Sequence, residues 1–209
     1  EPILQVSGPL IQAQLIETYV LSMINFQTMI ATKASRIKNV AGNRIVLEFG
    51  ARRAHSPYAS VVGARAAYIG GFDGTSNVKA GYEYGINASG TIAHSYIMSF
   101  DSEKEAFDKY LEVFPENSIM LVDTYDSLEA VRNLVSYKDK NIYGIRLDSG
   151  DLLYLSKEAR KILDNGGMQK TKIIVSSDLN EYKIKDLLDN GAPIDAFGVG
   201  TELITSKDA

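Results

Sequence analysis

Arg146, Asp148 and Asp151 place one guanidinium and two carboxylates in a short stretch of chain, with Gly150 between the acids. Together these groups can hold an anion, stabilise a developing positive charge or ligate a divalent cation. They follow Ile142-Tyr143-Gly144-Ile145, an apolar run that predicts a buried strand. Directly after them Leu152, Leu153, Leu155, Ala159, Ile162 and Leu163 fall on a helical stripe. The C-terminal ends of strands are where α/β proteins gather their chemistry. A helix cap at Ser149 or Asp148, with Asp151 favouring the helix dipole, explains one carboxylate without any function. It leaves Arg146 unexplained, because a charge at the end of an apolar strand is costly unless paired.

Similar polar tips end the other predicted strands: Arg52 and Arg53, Asp73 and Ser76, Thr91 and His94, Asp123 and Asp126, Ser177 and Asp178. Gly198, Gly200 and Thr201 complete the set. Brought to one face, basic groups and glycine-backed amides would surround a floor of carboxylates. Such a mouth suits a phosphorylated, polyhydroxylated substrate bound with a divalent cation. Phe197 through Thr201 reads as a phosphate cradle, in which two glycines allow close backbone approach and Thr201 adds a hydroxyl. Tight packing alone also produces Gly-x-Gly after a strand, but the late position in the array favours the cradle. His94, flanked by Thr91 and Ser95, is the histidine placed for chemistry, and His55 at a helix entrance reads as structural. Asp123 and Asp126 are candidates too, although one of them also fits as a helix cap.

The elements that must position these residues form an alternating series. Ile3–Val6 reads as a short opening strand, and residues 10–41 as a largely apolar helical region, buried on more than one side or bent near Asn25. From Asn43 strands are expected at 44–50, 69–72, 88–92, 118–122, 142–147, 172–175 and 195–199. Helices are expected at 56–68, 78–84, from 102, 128–135, from 152 and 181–188. This divides the chain into residues 1–42, a helical region packing on the remainder, and residues 43–209, an array of about seven βα units carrying the site. No glycine-rich dinucleotide fingerprint is present, and polar clusters follow nearly every strand rather than one switch point. The fold class is therefore α/β, an irregular (β/α) barrel. The chain starts within a predicted strand and stops after the last polar tip, so the barrel is expected to be incomplete and the chain a piece of a longer protein.

Composition narrows the classes further. A net charge of −4 with interspersed signs gives no electrostatic footprint for nucleic acid. No signal peptide or membrane-spanning run is visible. The absence of cysteine removes disulfides and a thiol nucleophile and fits a cytoplasmic protein. No His/Cys set suits structural zinc.

Six stretches, in order, resemble the nicotinate phosphoribosyltransferase family: 48–54 (Glu-Phe-Gly-Ala-Arg-Arg-Ala), 69–78, 90–95 (Gly-Thr-Ile-Ala-His-Ser), 122–126, 146–151 and 197–201. The resemblance implies a type II phosphoribosyltransferase with an irregular α/β barrel and a second domain built from segments before and after it. It implies that nicotinate and phosphoribosyl pyrophosphate yield nicotinate mononucleotide and pyrophosphate, coupled to ATP hydrolysis with Mg²⁺, in NAD salvage. His94 then corresponds to the histidine that ATP transiently phosphorylates. Thr91 and Arg146 correspond to nicotinate-binding positions and Thr201 to a phosphoribosyl pyrophosphate contact. Asp148 and Asp151 join His94 as catalytic candidates, able to stabilise charge on the sugar, bind ribose hydroxyls or reach Mg²⁺. Ser95, Arg52, Asp123, Ser177, Gly198 and Gly200 complete the expected substrate-binding set; the metal ligands stay open. The family's early segment, with a tyrosine that stacks on the nicotinate ring across a head-to-tail dimer, has no counterpart here. A homodimer is thus expected of the full-length protein.

Other readings compete with this one. A nicotinamide-specific relative would want an acid near Ser76, and a quinolinate enzyme more cations. A Schiff-base aldolase or isomerase barrel would want a lysine ending a strand, and none of the predicted strands ends in one. A truncated, non-catalytic barrel serving in ligand binding or oligomerisation is the reading outside enzymology.

Overall fold

The structure is a computed structural model and describes residues 2–209. Strands β1 (Ile45–Glu48), β2 (Gly74–Thr75), β3 (Ile119–Leu121), β4 (Gly144–Leu147), β5 (Lys172–Val175) and β6 (Ala196–Val199) form one all-parallel sheet in the order β2-β1-β6-β5-β4-β3. The last strand returns to pair with the first, Ile45 opposite Ala196 and Glu48 opposite Val199. Strand neighbours are thus cyclic in chain order, with a single break between β2 and β3. The α/β class holds, and the sheet is not closed into a barrel.

The break lies where a strand was expected. Residues 88–92 contribute only one bridge, Thr75 to Ala88. The Thr91 hydroxyl and Ile92 carbonyl instead accept from the Arg146 guanidinium at 2.6 and 3.4 Å. The strand expected at 69–72 is also absent: Phe72 N–H bonds back to Ala67 and Gly71 takes φ 104°, a helix C-terminal turn. Ile3–Val6 is irregular and exposed rather than a strand.

Helices α1 (Leu10–Ala41), α2 (Pro57–Ile69), α3 (Val78–Tyr84), α4 (His94–Ile97), α5 (Glu103–Val113), α6 (Ser127–Leu134), α7 (Leu152–Asn165), α8 (Glu181–Asp189) and α9 (Thr201–Ile204) alternate with the strands. Most of their starts are written in the sequence. Ser56, Asn77, Ser102, Asp126, Asp151 and Asn180 each accept the N–H three residues on. Asp151, not Ser149 or Asp148, caps α7, and Asp126 caps α6. The 32-residue α1 is continuous through Asn25. Burial on more than one side fails for its first half, where Leu10, Ile11, Leu15 and Tyr19 are exposed. Ile30, Ala34, Ile37 and Ala41 carry its buried face.

Side chains alternate across each strand. Val46, Met120, Ile145, Leu147, Ile173, Val175, Phe197 and Val199 pack into the main core with the helices. The opposite face carries Ile119, Ile174 and Ala196 as a separate cluster. Followed two residues at a time toward the C-terminal ends, that second face changes from apolar to polar: Gly144, Arg146, Asp148; Ile174, Ser176; Ala196, Gly198, Gly200; Leu47, Phe49.

Candidate active site

Arg146 projects from β4 onto this second face, where three side chains hold it. Its Nε donates to Ser176 Oγ at 2.8 Å, its Nη1 to Thr91 Oγ1, and its Nη2 pairs with Asp148 Oδ1 at 2.8 Å. Ser176 Oγ in turn donates to Asp148 Oδ1. The guanidinium lies 5.7 Å from the centre of the Phe49 ring, a cation–π distance. Burial pushes the Asp148 carboxyl up, but the Arg146 hydrogen bond and charge, the Ser176 hydroxyl and His94 outweigh it and hold it below the usual aspartate value. The charge that looked costly from sequence is therefore fully paired.

A cavity of about 210 Å³ opens over this network. Phe49, Arg146, Asp148, Ser176, Ser177, Gly198, Gly200 and Thr201 form its buried and half-buried lining, and Arg52, Arg53 and Asp178 its exposed rim. Ser177 and Asp178 turn the chain after β5 with left-handed backbones, φ 116° and 43°. Two guanidiniums facing backbone and hydroxyl groups at the end of β6 suit an anion. The expected cradle divides in two. A Cβ on Gly198 would stand 2.4 Å from Phe49 Cδ2, so this glycine makes room for the ring rather than for a ligand. Gly200, at the start of α9, does line the cavity. We expect Gly198→Ala to cost about 1–3 kcal/mol by overpacking and to move Phe49 off Arg146. Urea unfolding and ligand titration check both effects.

His94 opens α4 beside the cavity rather than in its lining. Its Nε2 lies 3.2 Å from Oδ1 of Asp123, whose side chain is only 1% exposed. Oδ2 of that carboxylate accepts the Asp148 N–H at 3.0 Å and the Ser149 hydroxyl. His94 therefore reaches Arg146 through Asp123 and the Asp148 backbone. Arg146 and Thr201 line one cavity, and His94 is tied to it through Asp123. Several expected residues do not join it: Ser95 and Ser76 are exposed and outside the lining, the Asp151 and Asp126 carboxylates are engaged as the α7 and α6 caps, and Asp73 is bound to Lys38 and the Val46 N–H. Phe49 and Ser176 were missed, and the two-residue alternation that leads from Leu47 and Ile174 was the signal for them.

Among the described residues no group of three or more His, Cys, Asp or Glu side chains is assembled to hold a metal ion. The cavity carboxylates are Asp148, engaged with Arg146, and exposed Asp178. That donor set fits a cation arriving on phosphate oxygens and met by one or two carboxylates, not a cation in a protein cage.

Residues 45–208 match the model of the nicotinate phosphoribosyltransferase (NAPRTase) family. Nicotinate phosphoribosyltransferase of Bacillus subtilis is 53% identical over all of this chain, which covers 44% of that protein. A Mycobacterium tuberculosis relative, nicotinate phosphoribosyltransferase pncB2, is 44% identical, again over the whole chain and 46% of that protein. In three dimensions the human nicotinic acid phosphoribosyltransferase superimposes with a TM-score of 0.86 at 29% identity, covering 96% of this chain and 52% of that one. A nicotinate-nucleotide pyrophosphorylase from Pyrococcus furiosus gives 0.78 at 36% identity, over 87% and 47%. The chain spans about half the length of the curated relatives it matches. With the model match running from the first strand past the last, and the Bacillus relative aligned over all of this chain, the chain belongs to the nicotinate phosphoribosyltransferase family.

Proposed function

We propose that the protein containing this chain joins nicotinate to phosphoribosyl pyrophosphate, releasing pyrophosphate, with ATP acting through His94. The observation that carries the reading is the Arg146 cluster. A guanidinium fixed by Thr91 and Ser176 lies against the Phe49 ring, in one cavity with Arg52, Arg53 and the end of β6. A pyridine carboxylate needs a cation for its charge and a flat apolar surface for its ring, and this arrangement supplies both. The ring nitrogen then attacks C1 of the ribose as the C1–O bond to pyrophosphate breaks. Positive charge grows on the sugar, and Asp148 is the carboxylate positioned to oppose it. Asp178 and Asp148 would be the chain's own contacts for a Mg²⁺ ion, which would supply charge neutralisation for the leaving pyrophosphate.

His94 has the setting of a phosphoryl acceptor, partly exposed and oriented by a buried carboxylate. Transfer of the ATP γ-phosphoryl group to its ring forms a P–N bond and releases ADP. The charge added beside Asp123 alters the affinity of the cavity for anions. His94→Ala is expected to abolish ATP stimulation while leaving basal nucleotide synthesis. Assays of the full-length protein with nicotinate, nicotinamide and quinolinate, with and without ATP, check this; full stimulation in the variant defeats the role given to His94. Ser76 is exposed, outside the cavity, with its N–H on Glu48 O, so it gives nicotinamide no partner. No lysine lines the cavity among the described residues, which disfavours Schiff-base chemistry.

The same proposal extends to a homodimer of the full-length protein and to a cytoplasmic setting. Exposed Leu10, Ile11, Leu15 and Tyr19 on α1 provide apolar surface for contacts. No helix among the described residues is long and apolar enough to cross a membrane.

A further inference from the structure

Glu48 ends β1 and is fully buried, yet it has no part in the chemistry above. Alternation along the strand points it away from the cavity, to the side of the sheet where Val46 meets the helices. Its two partners are uncharged donors. Oε1 accepts the Gly50 N–H, and Oε2 accepts the Thr75 hydroxyl at 2.6 Å. Burial pushes the carboxyl up, and these two hydrogen bonds pull against it. An apolar side chain would fill the space with less desolvation, so the value of the carboxylate lies in what it holds.

It holds the rear of the cavity wall. Gly50 follows Phe49 and precedes the tight turn Ala51–Arg53, in which the Arg53 N–H returns to Gly50 O at 2.8 Å. That turn carries Arg52 and Arg53 to the cavity rim. A Cβ on Gly50 would stand 2.6 Å from Ile204 Cβ and 2.9 Å from Gly200 O. The Gly50 backbone therefore lies tight against α9 and against the glycine that lines the cavity after β6. On the other side Thr75 Oγ1 accepts the Asn77 N–H at 2.9 Å, and Asn77 caps α3. One buried carboxylate thus ties the arginine turn after β1 to the end of β2. Phe49 has its own supports: its N–H reaches Val199 O at 2.8 Å, and its ring fills the space beside Gly198.

We propose that Glu48 is a positioning residue for the phosphate end of the cavity, fixing the Gly50 backbone so that Arg52 and Arg53 are set for the pyrophosphate group of phosphoribosyl pyrophosphate. The inference rests on the reading of the cavity as a phosphoribosyltransferase site. Glu48 touches neither substrate and acts through the turn. Without it the Gly50 N–H loses its acceptor, and the turn must be ordered by the anion as it binds. The aromatic and guanidinium supports of nicotinate, Phe49 and Arg146, do not hang on Glu48. Its loss therefore separates the two substrates.

The test is steady-state kinetics of the full-length enzyme carrying Glu48→Ala or Glu48→Gln, with urea unfolding of each. Glutamine can accept the Gly50 N–H on Oε1 and donate to Thr75 Oγ1 through Nε2, so it keeps the geometry without the charge. Glu48→Ala is expected to raise KM for phosphoribosyl pyrophosphate about tenfold or more, with KM for nicotinate moving less than about threefold. Glu48→Gln should stay near wild type for both. Should the alanine variant fail to fold, Glu48→Asp is read in the same way, because its shorter side chain cannot span both donors. An unchanged KM for phosphoribosyl pyrophosphate, or parallel rises for both substrates that follow the loss of stability, would overturn the role of Glu48. Calorimetric titration of inorganic pyrophosphate separates this inference from the reading it rests on. Weaker pyrophosphate binding in Glu48→Ala, in a protein whose wild type forms no nicotinate mononucleotide, supports the positioning and removes the transferase reading. Wild-type pyrophosphate affinity in the variant of an enzyme that does form it removes the role of Glu48 alone.

Discussion

Replacing Arg146 with alanine is expected to lower both stability and affinity for a carboxylate ligand more than any other single change in the cavity. Its side chain is 14% exposed and meets that of Asp148, 21% exposed, at 2.8 Å. Truncation removes the donors to Thr91 and Ser176 and leaves the Asp148 charge without its counter-ion. Breaking a buried pair from one side costs about 3–5 kcal/mol, because the remaining charge is still desolvated. The loss of binding for a ligand carboxylate follows the same logic, about 10²-fold or more. Arg146→Lys keeps the charge but not the planar fork, so it should fall between the two. Urea unfolding and calorimetric titration with nicotinate in the full-length enzyme measure these effects. Wild-type affinity in Arg146→Ala would remove the central contact from the mechanism. The pH dependence adds a sign. Asp148 is held below the usual aspartate value, so its contribution is fully present above that value and is lost as pH falls through its lower folded one. Without Arg146 two of the causes that lower the Asp148 carboxyl are gone, so the gain of stability as pH rises through the carboxylate range should be smaller in the variant than in wild type.

Arg146 also shows what local sequence can reveal and what it cannot. Its cost at the end of an apolar strand marked it as paired, and the site residues after β4, β5 and β6 follow from strand ends that periodicity locates. Partners across the fold do not follow. Asp148 and Asp151 are both acids flanking Gly150, and only the start of α7 decides that one pairs with Arg146 while the other caps a helix. Gly198 reads as a cradle until Phe49, just past β1 and 149 positions earlier, is seen to need the space. The 88–92 segment has strand-like composition, yet its Ile92 carbonyl and Thr91 hydroxyl serve Arg146 instead of a ladder. Contacts such as His94 with Asp123 join separate elements and leave no trace in a hydrophobic period.

The largest effect on stability outside the cavity is expected at Lys33. Its side chain, on the second half of α1, is only 1% exposed and meets Glu181 of α8, 8% exposed, at 2.8 Å. Lys33→Ala should cost about 3–5 kcal/mol by stranding the Glu181 carboxylate, whereas the double change to methionine should be near neutral or stabilising. Urea unfolding of the two single variants and the double variant gives the coupling directly, and additive single effects would show that the pair contributes nothing. The consequence reaches the cavity, because Glu181 is the first residue of α8, directly after the turn that carries Ser177 and Asp178. That turn keeps two non-glycine residues at positive φ, a conformation that persists only when its surroundings enforce it. Lys33→Ala should therefore weaken phosphoribosyl pyrophosphate binding in the full-length enzyme from outside the site, and the methionine pair should restore it. An affinity that stays low in the restored, fully stable double variant would mean that the charge itself, and not the anchoring of α8, shapes the cavity wall.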